Sequence, residues 1–216
     1  FAFDNPITTV NMSIGVPEMN EASIPGWAML EDEFQSLYDA GIFVSVSAGN
    51  DFELFNSKGL SYPAVSPWVT AVSSANDAGT LMSDFSQRDD RVLVAPGESI
   101  ISTVPDELFS FDGVHNDWAS ASGTSMASPY VAGASVLVRQ AYEFMGVDAT
   151  GQQIYDTLYD TANLIFDPIT ATSYRFIDVE AALASIITDA HAGDAGGATD
   201  LGQLGDGASF NEWIGT

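Results

Sequence analysis

Apolar positions along the chain keep two different rhythms. The stretch 7–14, ITTVNMSI, is a short β-branched run that stops at Gly15 and Pro17, and it predicts a strand. In PGWAMLEDEFQSLYDAG (25–41), Trp27, Leu30, Phe34, Leu37 and Tyr38 recur at three- and four-residue steps with acidic residues between them. That spacing lays one apolar stripe along a helix, and Gly41 stands where a left-handed residue would end it. IFVSVSAGN (42–50) begins a second strand at once, and WVTAVSSA (68–75) and RVLVAP (91–96) predict two more. Strands that are apolar almost throughout, joined through helices, imply an α/β fold with a mostly parallel sheet covered on both faces.

GTSMASPYVAGASVLVRQAYEFMG (123–146) predicts one long helix whose first half is small or apolar nearly all round and is therefore expected to be buried. Thr150 and Gln153 have the spacing of a capping box and open another helix. A last helix is expected from Asp178, with Val179, Ala182, Leu183 and Ile186 on its apolar face. From about residue 190 the composition turns to Gly, Ala and Asp without helical period. The chain thus divides into one domain over 1–190 and a linker over 191–216, whose last residues, SFNEWIGT, read as the first strand of something further.

Composition narrows the partners. Thirty acidic residues face five basic ones, a net charge of −25, which repels nucleic acid and anionic membrane surfaces because phosphate binding needs clustered Lys and Arg. Two readings of the acidic excess stay open: a solvated surface of the kind that salty surroundings screen, or cation sites among the carboxylates. The absence of cysteine rules out disulfides and a thiol nucleophile. No apolar run approaches the ~18–20 residues of a membrane span. The chain opens on Phe1 and not Met, which reads as a piece of a longer protein.

The stretch SGTSMASPYVAG (122–133) carries the chemistry. Gly123 permits a tight turn before Ser125, and Pro129 suits a first helical turn, where a missing N–H leaves no bond unmade. Ser125 is thereby expected at a helix N-terminus, where free N–H groups favour negative charge. An acyl-transfer nucleophile develops an oxyanion beside itself, so a helix start offers a fixed donor in the right place. The plain alternative is that Ser125 only caps the helix.

GTSMASPYVAG resembles the serine motif of the subtilisin-like serine proteases (subtilases, peptidase S8). VNMSIG (10–15), VSVSAGN (44–50), YPAVSPWVTAV (62–72) and DFSQRDDRVLVAPGESIIST (84–103) follow in that family's order. The resemblance runs from residue 7 to about 188 and corresponds to roughly the last two thirds of such a catalytic domain. It implies a three-layer subtilisin-like fold, incomplete in this chain, and a serine endopeptidase acting on polypeptides. Ser125 matches the nucleophile, and the Asn50 side chain with the Ser125 N–H matches the oxyanion hole. Ser13, Ile14 and Gly15 match the backbone that pairs with an extended substrate. Ser47, Ala48 and Gly49 match one wall of the pocket for the residue before the scissile bond, with Ser61 and Asp51 near its base. Where the family carries His, this chain has Tyr130. The tail over 191–216 resembles the opening of the small β-sandwich domains that follow such catalytic domains. The family resemblance implies no catalytic cofactor, structural calcium without an identifiable site, and, with the acidic composition, a secreted, extracellular protein.

The family's catalytic Asp and His precede the strand matched by VNMSIG, and neither D-[ST]-G nor H-G occurs here. His115 and His191 are the two histidines, neither where the family places a base. A serine hydroxyl needs a base within hydrogen-bond reach. Three explanations stay open: a fragment lacking the N-terminal part of the domain, one chain of a two-chain enzyme, or a non-catalytic pseudoprotease that binds peptides or a partner. On the first, the fragment alone is expected to be inactive.

Overall fold

The structure, a computed structural model, describes residues 7–106, 112–114 and 117–193. Its main sheet has six strands: β1 (Thr9–Met12), β2 (Phe43–Ser47), β3 (Thr70–Ala75), β4 (Leu93–Pro96), β7 (Asn163–Asp167) and β8 (Thr172–Phe176). They lie in the order β1-β2-β3-β4-β8-β7. All neighbours are parallel except β7 and β8, which form an antiparallel hairpin. A separate antiparallel pair, β5 (Ile100–Thr103) and β6 (Trp118–Ala121), was not expected from the sequence, and neither was the β7–β8 hairpin.

Side chains alternate across the central strands and divide the interior into two cores. Val44, Val46, Ala71 and Val94 face one core with Phe34 and Tyr62, beneath α1 (Glu31–Asp39). Phe43, Val72, Leu93 and Ala95 face the other, against Ala127, Val131 and Val138 of α3 (Thr124–Phe144). That second core also takes Ile154 and Leu158 of α4 (Gly151–Asp160) and Ala182, Leu183 and Ile186 of α5 (Val179–Gly193). The expected three layers, helices on both faces of a mostly parallel sheet, are present. A short α2 (Phe52–Phe55) follows β2.

Several ends are set by local chemistry. α1 begins at Glu31, later than the apolar stripe suggests, because Pro25 and Gly26 make a turn closed by Ala28 N–H donating to Pro25 O at 3.0 Å. Glu31, Asp32 and Glu33 then place three carboxylates at the positive end of the helix. Gly41 has φ +73° and closes α1: its N–H reaches Tyr38 O and the Ile42 N–H reaches Leu37 O. That double bond pattern is a Schellman cap and needs a residue at ease in the left-handed region. The capping box of α4 forms as expected between Thr150 and Gln153. α5 runs to Gly193, three residues into the expected linker, the rest of which lies outside the described residues.

All five basic residues are committed to internal contacts. Arg88 and Asp167 form a buried pair at 2.9 Å, with the guanidinium 3.6 Å over the Phe52 ring. Arg91 donates to Ser66 O and Ala64 O, Arg139 to Gly41 O and Ala149 O, Lys58 pairs with Asp90, and Arg175 covers Tyr159.

Candidate active site

In a parallel sheet the loops that leave the C-terminal strand ends share one edge of the molecule, where open α/β folds form their binding crevices. β1 ends at Met12 and delivers Ser13, Ile14 and Gly15 there; β2 ends at Ser47 and delivers Ala48, Gly49 and Asn50. The N-terminus of α3 arrives between them. Its approach depends on a close crossing at Gly97, where Gly123 N–H donates to Gly97 O at 2.8 Å. A Cβ on Gly97 would fall 2.7 Å from Gly123 O and 2.3 Å from Ser74 Oγ. Gly123 itself is extended (φ 160°, ψ 160°), and a Cβ there would meet nothing closer than 3.5 Å. The glycine this entry sterically requires is therefore Gly97, and not Gly123 as the sequence suggests.

α3 opens with Gly123 as its N-cap and no side-chain capping bond, so Ser125, second in the helix, is not a cap. The adjacent Thr124 is fully buried and fixes Asn50. Its N–H and its hydroxyl both donate to Asn50 Oδ1 at 2.9 Å, and its Oγ1 accepts the Gly49 N–H at 3.2 Å. A backbone N–H can only donate, so the Asn50 atom facing it must be the carbonyl oxygen and the amide nitrogen must face the other way. Two donors are left over beside the half-buried Ser125: its own N–H and Asn50 Nδ2. Among the described residues neither has a protein acceptor, and the Ser125 hydroxyl has no hydrogen-bond partner.

Pro129 is the sixth helical residue, beyond the first turn where the sequence suggests it. Lacking an N–H, it leaves the carbonyl four residues earlier, that of Ser125, without its helical bond. Ser13 Oγ donates to that oxygen at 2.8 Å. Proline and Ser13 thus fit as a pair, and the bond ties the serine-bearing turn to the segment after β1. Ser128 adds a second tie, donating to Asn11 Oδ1 at 2.7 Å while its carbonyl accepts from Ser45 Oγ at 2.9 Å.

The segments after β1 and β2 are also joined to each other. Ser47 Oγ donates to Ile14 O at 3.0 Å, and Ser61 Oγ to Val16 O at 2.7 Å. Val16 N–H reaches Tyr62 O at 3.0 Å, and Glu18 N–H reaches Asp51 Oδ2 at 2.7 Å. Asp51 is therefore held by the backbone of the turn at Glu18 and does not project freely. The structure brings Ser13, Ile14, Gly15, Ser47, Ala48, Gly49, Asn50, Ser61 and Ser125 to one place, although they lie up to 112 residues apart. Sequence reasoning missed Thr124, Asn11, Ser128 and Gln87. Thr124 and Ser128 carry a detectable signal, since small polar residues stand there in a helix start that predicts burial.

Tyr130 is 46 % exposed on the outer side of α3. His115 lies outside the described residues, as does the side chain of His191 near the end of α5. Among the described residues, no three His, Cys, Asp or Glu side chains form a group able to hold a metal ion, and no helix is long and apolar enough to cross a membrane.

The profile of the Subtilase family, peptidase S8, matches residues 1–205. Subtilisin from Bacillus pumilus is 32 % identical over 165 residues, covering 76 % of this chain and 53 % of the relative. The major intracellular serine protease of Bacillus subtilis (strain 168) is 34 % identical over 149 residues, covering 66 % of this chain and 40 % of the relative. In three dimensions the S218A mutant of the PatA protease domain superposes with a TM-score of 0.68 at 22 % identity, covering 84 % of this chain and 60 % of that one. The chain spans between about two fifths and one half of the length of these two curated relatives.

Proposed function

This chain belongs to the Subtilase family, a family of serine proteases, and on that premise we propose that the whole protein is a serine endopeptidase with Ser125 as its nucleophile. One observation carries the reading: Ser125 N–H and Asn50 Nδ2 are two unspent donors held rigidly beside one unbonded hydroxyl. Donors fixed in advance stabilise charge that develops only in the transition state. Ser125 Oγ attacks the peptide carbonyl, an O–C bond forms, and the oxyanion is held by these two donors. The Oγ proton passes to a general base supplied from outside the described residues, then to the leaving amine as the C–N bond breaks. Water hydrolyses the acyl-enzyme by the reverse proton path.

The polypeptide substrate lies as an added strand along Ser13–Gly15. Ile14 O is already taken by Ser47, so pairing falls to Ser13 and Gly15, whose polar groups face the other way along the extended chain. Ser47, Ala48, Gly49 and Ser61 border the pocket for the preceding side chain. β1 is an edge strand, and we assign its free edge to an N-terminal part of the same domain, which brings the base and its carboxylate. The proposed reaction uses no catalytic cofactor, and structural calcium, which the family implies, is given no site. An extracellular location fits the acidic surface, although one relative is intracellular by name.

The test is active-site labelling of the whole protein with a fluorophosphonate probe. Labelling at Ser125, abolished by Ser125→Ala, is the expected result. Labelling that persists at another serine refutes the assignment. No labelling of a folded wild-type protein favours a peptide-binding pseudoprotease.

A further inference from the structure

We propose that the residue preceding the scissile bond must be small, because Ser61 plugs the slot that would receive it and Gln87 packs against the Gly49 wall. The inference rests on the protease reading above and adds a substrate class to it.

The two walls of the slot are the segments carrying Gly15 and Gly49, and one side chain spans the gap between them. A Cβ on Gly15 would fall 2.9 Å from Ser61 Oγ, and a Cβ on Gly49 would fall 3.0 Å from Ser61 Cβ. Ser61 is therefore in contact with both glycines, and it is 1 % exposed. The same Cβ on Gly49 would lie 1.9 Å from Gln87 Oε1, so Gln87 packs directly against that glycine. The space that a side chain on Gly49 would take is filled by Ser61 and Gln87.

The plug is not free to swing aside. Ser61 Oγ is bonded to Val16 O at 2.7 Å, which links the plug to the wall carrying Gly15. Ser47 to Ile14 O, Val16 N–H to Tyr62 O, and Glu18 N–H to Asp51 span the same gap, so spreading the walls would break several bonds together. Gln87 is fully buried, with Nε2 fixed to Met19 O at 2.7 Å and Asn20 Oδ1 at 2.9 Å. Its Oε1 has no partner. An aromatic ring pushed into this slot would displace Ser61 and break its bond to Val16 O, an uncompensated loss beside an apolar group. Glycine, alanine or serine needs no such displacement.

The experiment compares kcat/KM of the whole protease on tetrapeptide substrates that differ only in ending on Ala or Phe before the cleaved bond. Ala is expected to exceed Phe by about 100-fold or more, since a single methylene in a fitted pocket already changes kcat/KM by ~10–200-fold. In Ser61→Gly the Phe-to-Ala ratio should rise at least about tenfold, the shift of one misfit removed. Ser61→Ala keeps the Cβ between the glycines and should raise that ratio less. Equal or faster cleavage after Phe by the wild type overturns the proposal, as does an unmoved ratio in a folded Ser61→Gly. Failure to hydrolyse any peptide would sink the protease reading instead. The pocket is then judged by calorimetric binding of N-acetyl tetrapeptides ending in Ala or Phe to the Ser125→Ala protein. Binding of the Ala peptide at least about tenfold tighter supports the proposal, and equal or reversed affinities overturn it.

Discussion

Thr124→Val tests whether a hydroxyl that never touches substrate aims the Asn50 amide. The change keeps the shape of a fully buried side chain and removes two hydrogen bonds, from Thr124 Oγ1 to Asn50 Oδ1 at 2.9 Å and from Gly49 N–H to Thr124 Oγ1 at 3.2 Å. One net bond is worth about 1 kcal/mol and an orphaned donor about 1–3, so the expected loss of stability is roughly 2–4 kcal/mol. At ~2–4 °C per kcal/mol for a chain of this size, Tm should fall by about 4–16 °C. Catalysis should suffer separately. Complete removal of such a donor lowers kcat by ~10²–10³ in subtilisin, a magnitude carried over from that enzyme and not worked out from this structure. Thr124→Val leaves Asn50 with one of its two anchors, the backbone N–H, so a kcat loss of about tenfold is expected with KM little changed. The assay is steady-state hydrolysis of a chromogenic peptide by the whole protease beside thermal melts, with Thr124→Ser restoring kcat because it keeps the hydroxyl. A folded Thr124→Val enzyme with wild-type kcat would refute the claim that the hydroxyl orients Asn50.

Asp167→Asn leaves the Arg88 guanidinium buried without its counter-charge and should cost ~3–5 kcal/mol in chemical unfolding. Burial alone would raise the Asp167 carboxyl, but the Thr170 hydroxyl and Arg88 outweigh it and hold its pKa below the ordinary value. A depressed pKa stabilises the fold above the unfolded value of ~3.9 and is lost as pH falls through the folded one, so the gap between wild type and Asp167→Asn should close below about pH 4. A gap that widens in acid would contradict this sign. Five cations against thirty acidic residues leave the acidic exterior of a chain at −25 largely unbalanced. Tm should therefore rise between roughly 0.01 and 1 M NaCl, as the Debye length falls from ~30 to ~3 Å, and a flat profile would count against it. Gly97→Ala should lower stability by roughly 1–3 kcal/mol through its clash with Gly123 O, and an unchanged melt would show that the loop yields freely.

The parallel core was legible because β2, β3 and β4 are buried along nearly their whole length and so read as continuous apolar runs with small hydroxyls. The β7–β8 hairpin was not. Leu164 and Phe166 are exposed while Ile165 and Asp167 are buried. The strand's inward position at Asp167 thus carries a charge, which no hydrophobic pattern would place inside. Arg88, more than seventy residues earlier, supplies the counter-charge that makes that burial tolerable, beside the Thr170 hydroxyl and two backbone N–H groups of the following turn. The start of α1 was misjudged for a related reason. Trp27 has the helical spacing, yet it packs edge-on against Tyr62 from a turn, so an apolar residue in step with a helix need not belong to one.

At the site, a motif in one segment identified a serine, but what positions it lies in three other segments. Each tie answers a local deficit that the sequence alone cannot match to its remedy. Pro129 removes the N–H owed to the Ser125 carbonyl, and the replacement donor is Ser13, at the end of an edge strand. Thr124 fixes the orientation of Asn50, and Gly97 lets the whole turn approach the sheet. The consequence is that the helix entry, the segment after β1 and the segment after β2 cannot shift independently. A displacement of the Ser13 segment pulls on the Ser125 carbonyl and, through Ser47 and Ile14, on the strand that leads to Asn50. On the proposed reading, nucleophile, oxyanion donors and substrate track are therefore coupled by bonds made before any peptide arrives. A polypeptide laid along Ser13–Gly15 would then meet a reacting centre whose geometry has already been set, with the base coming from outside the described residues.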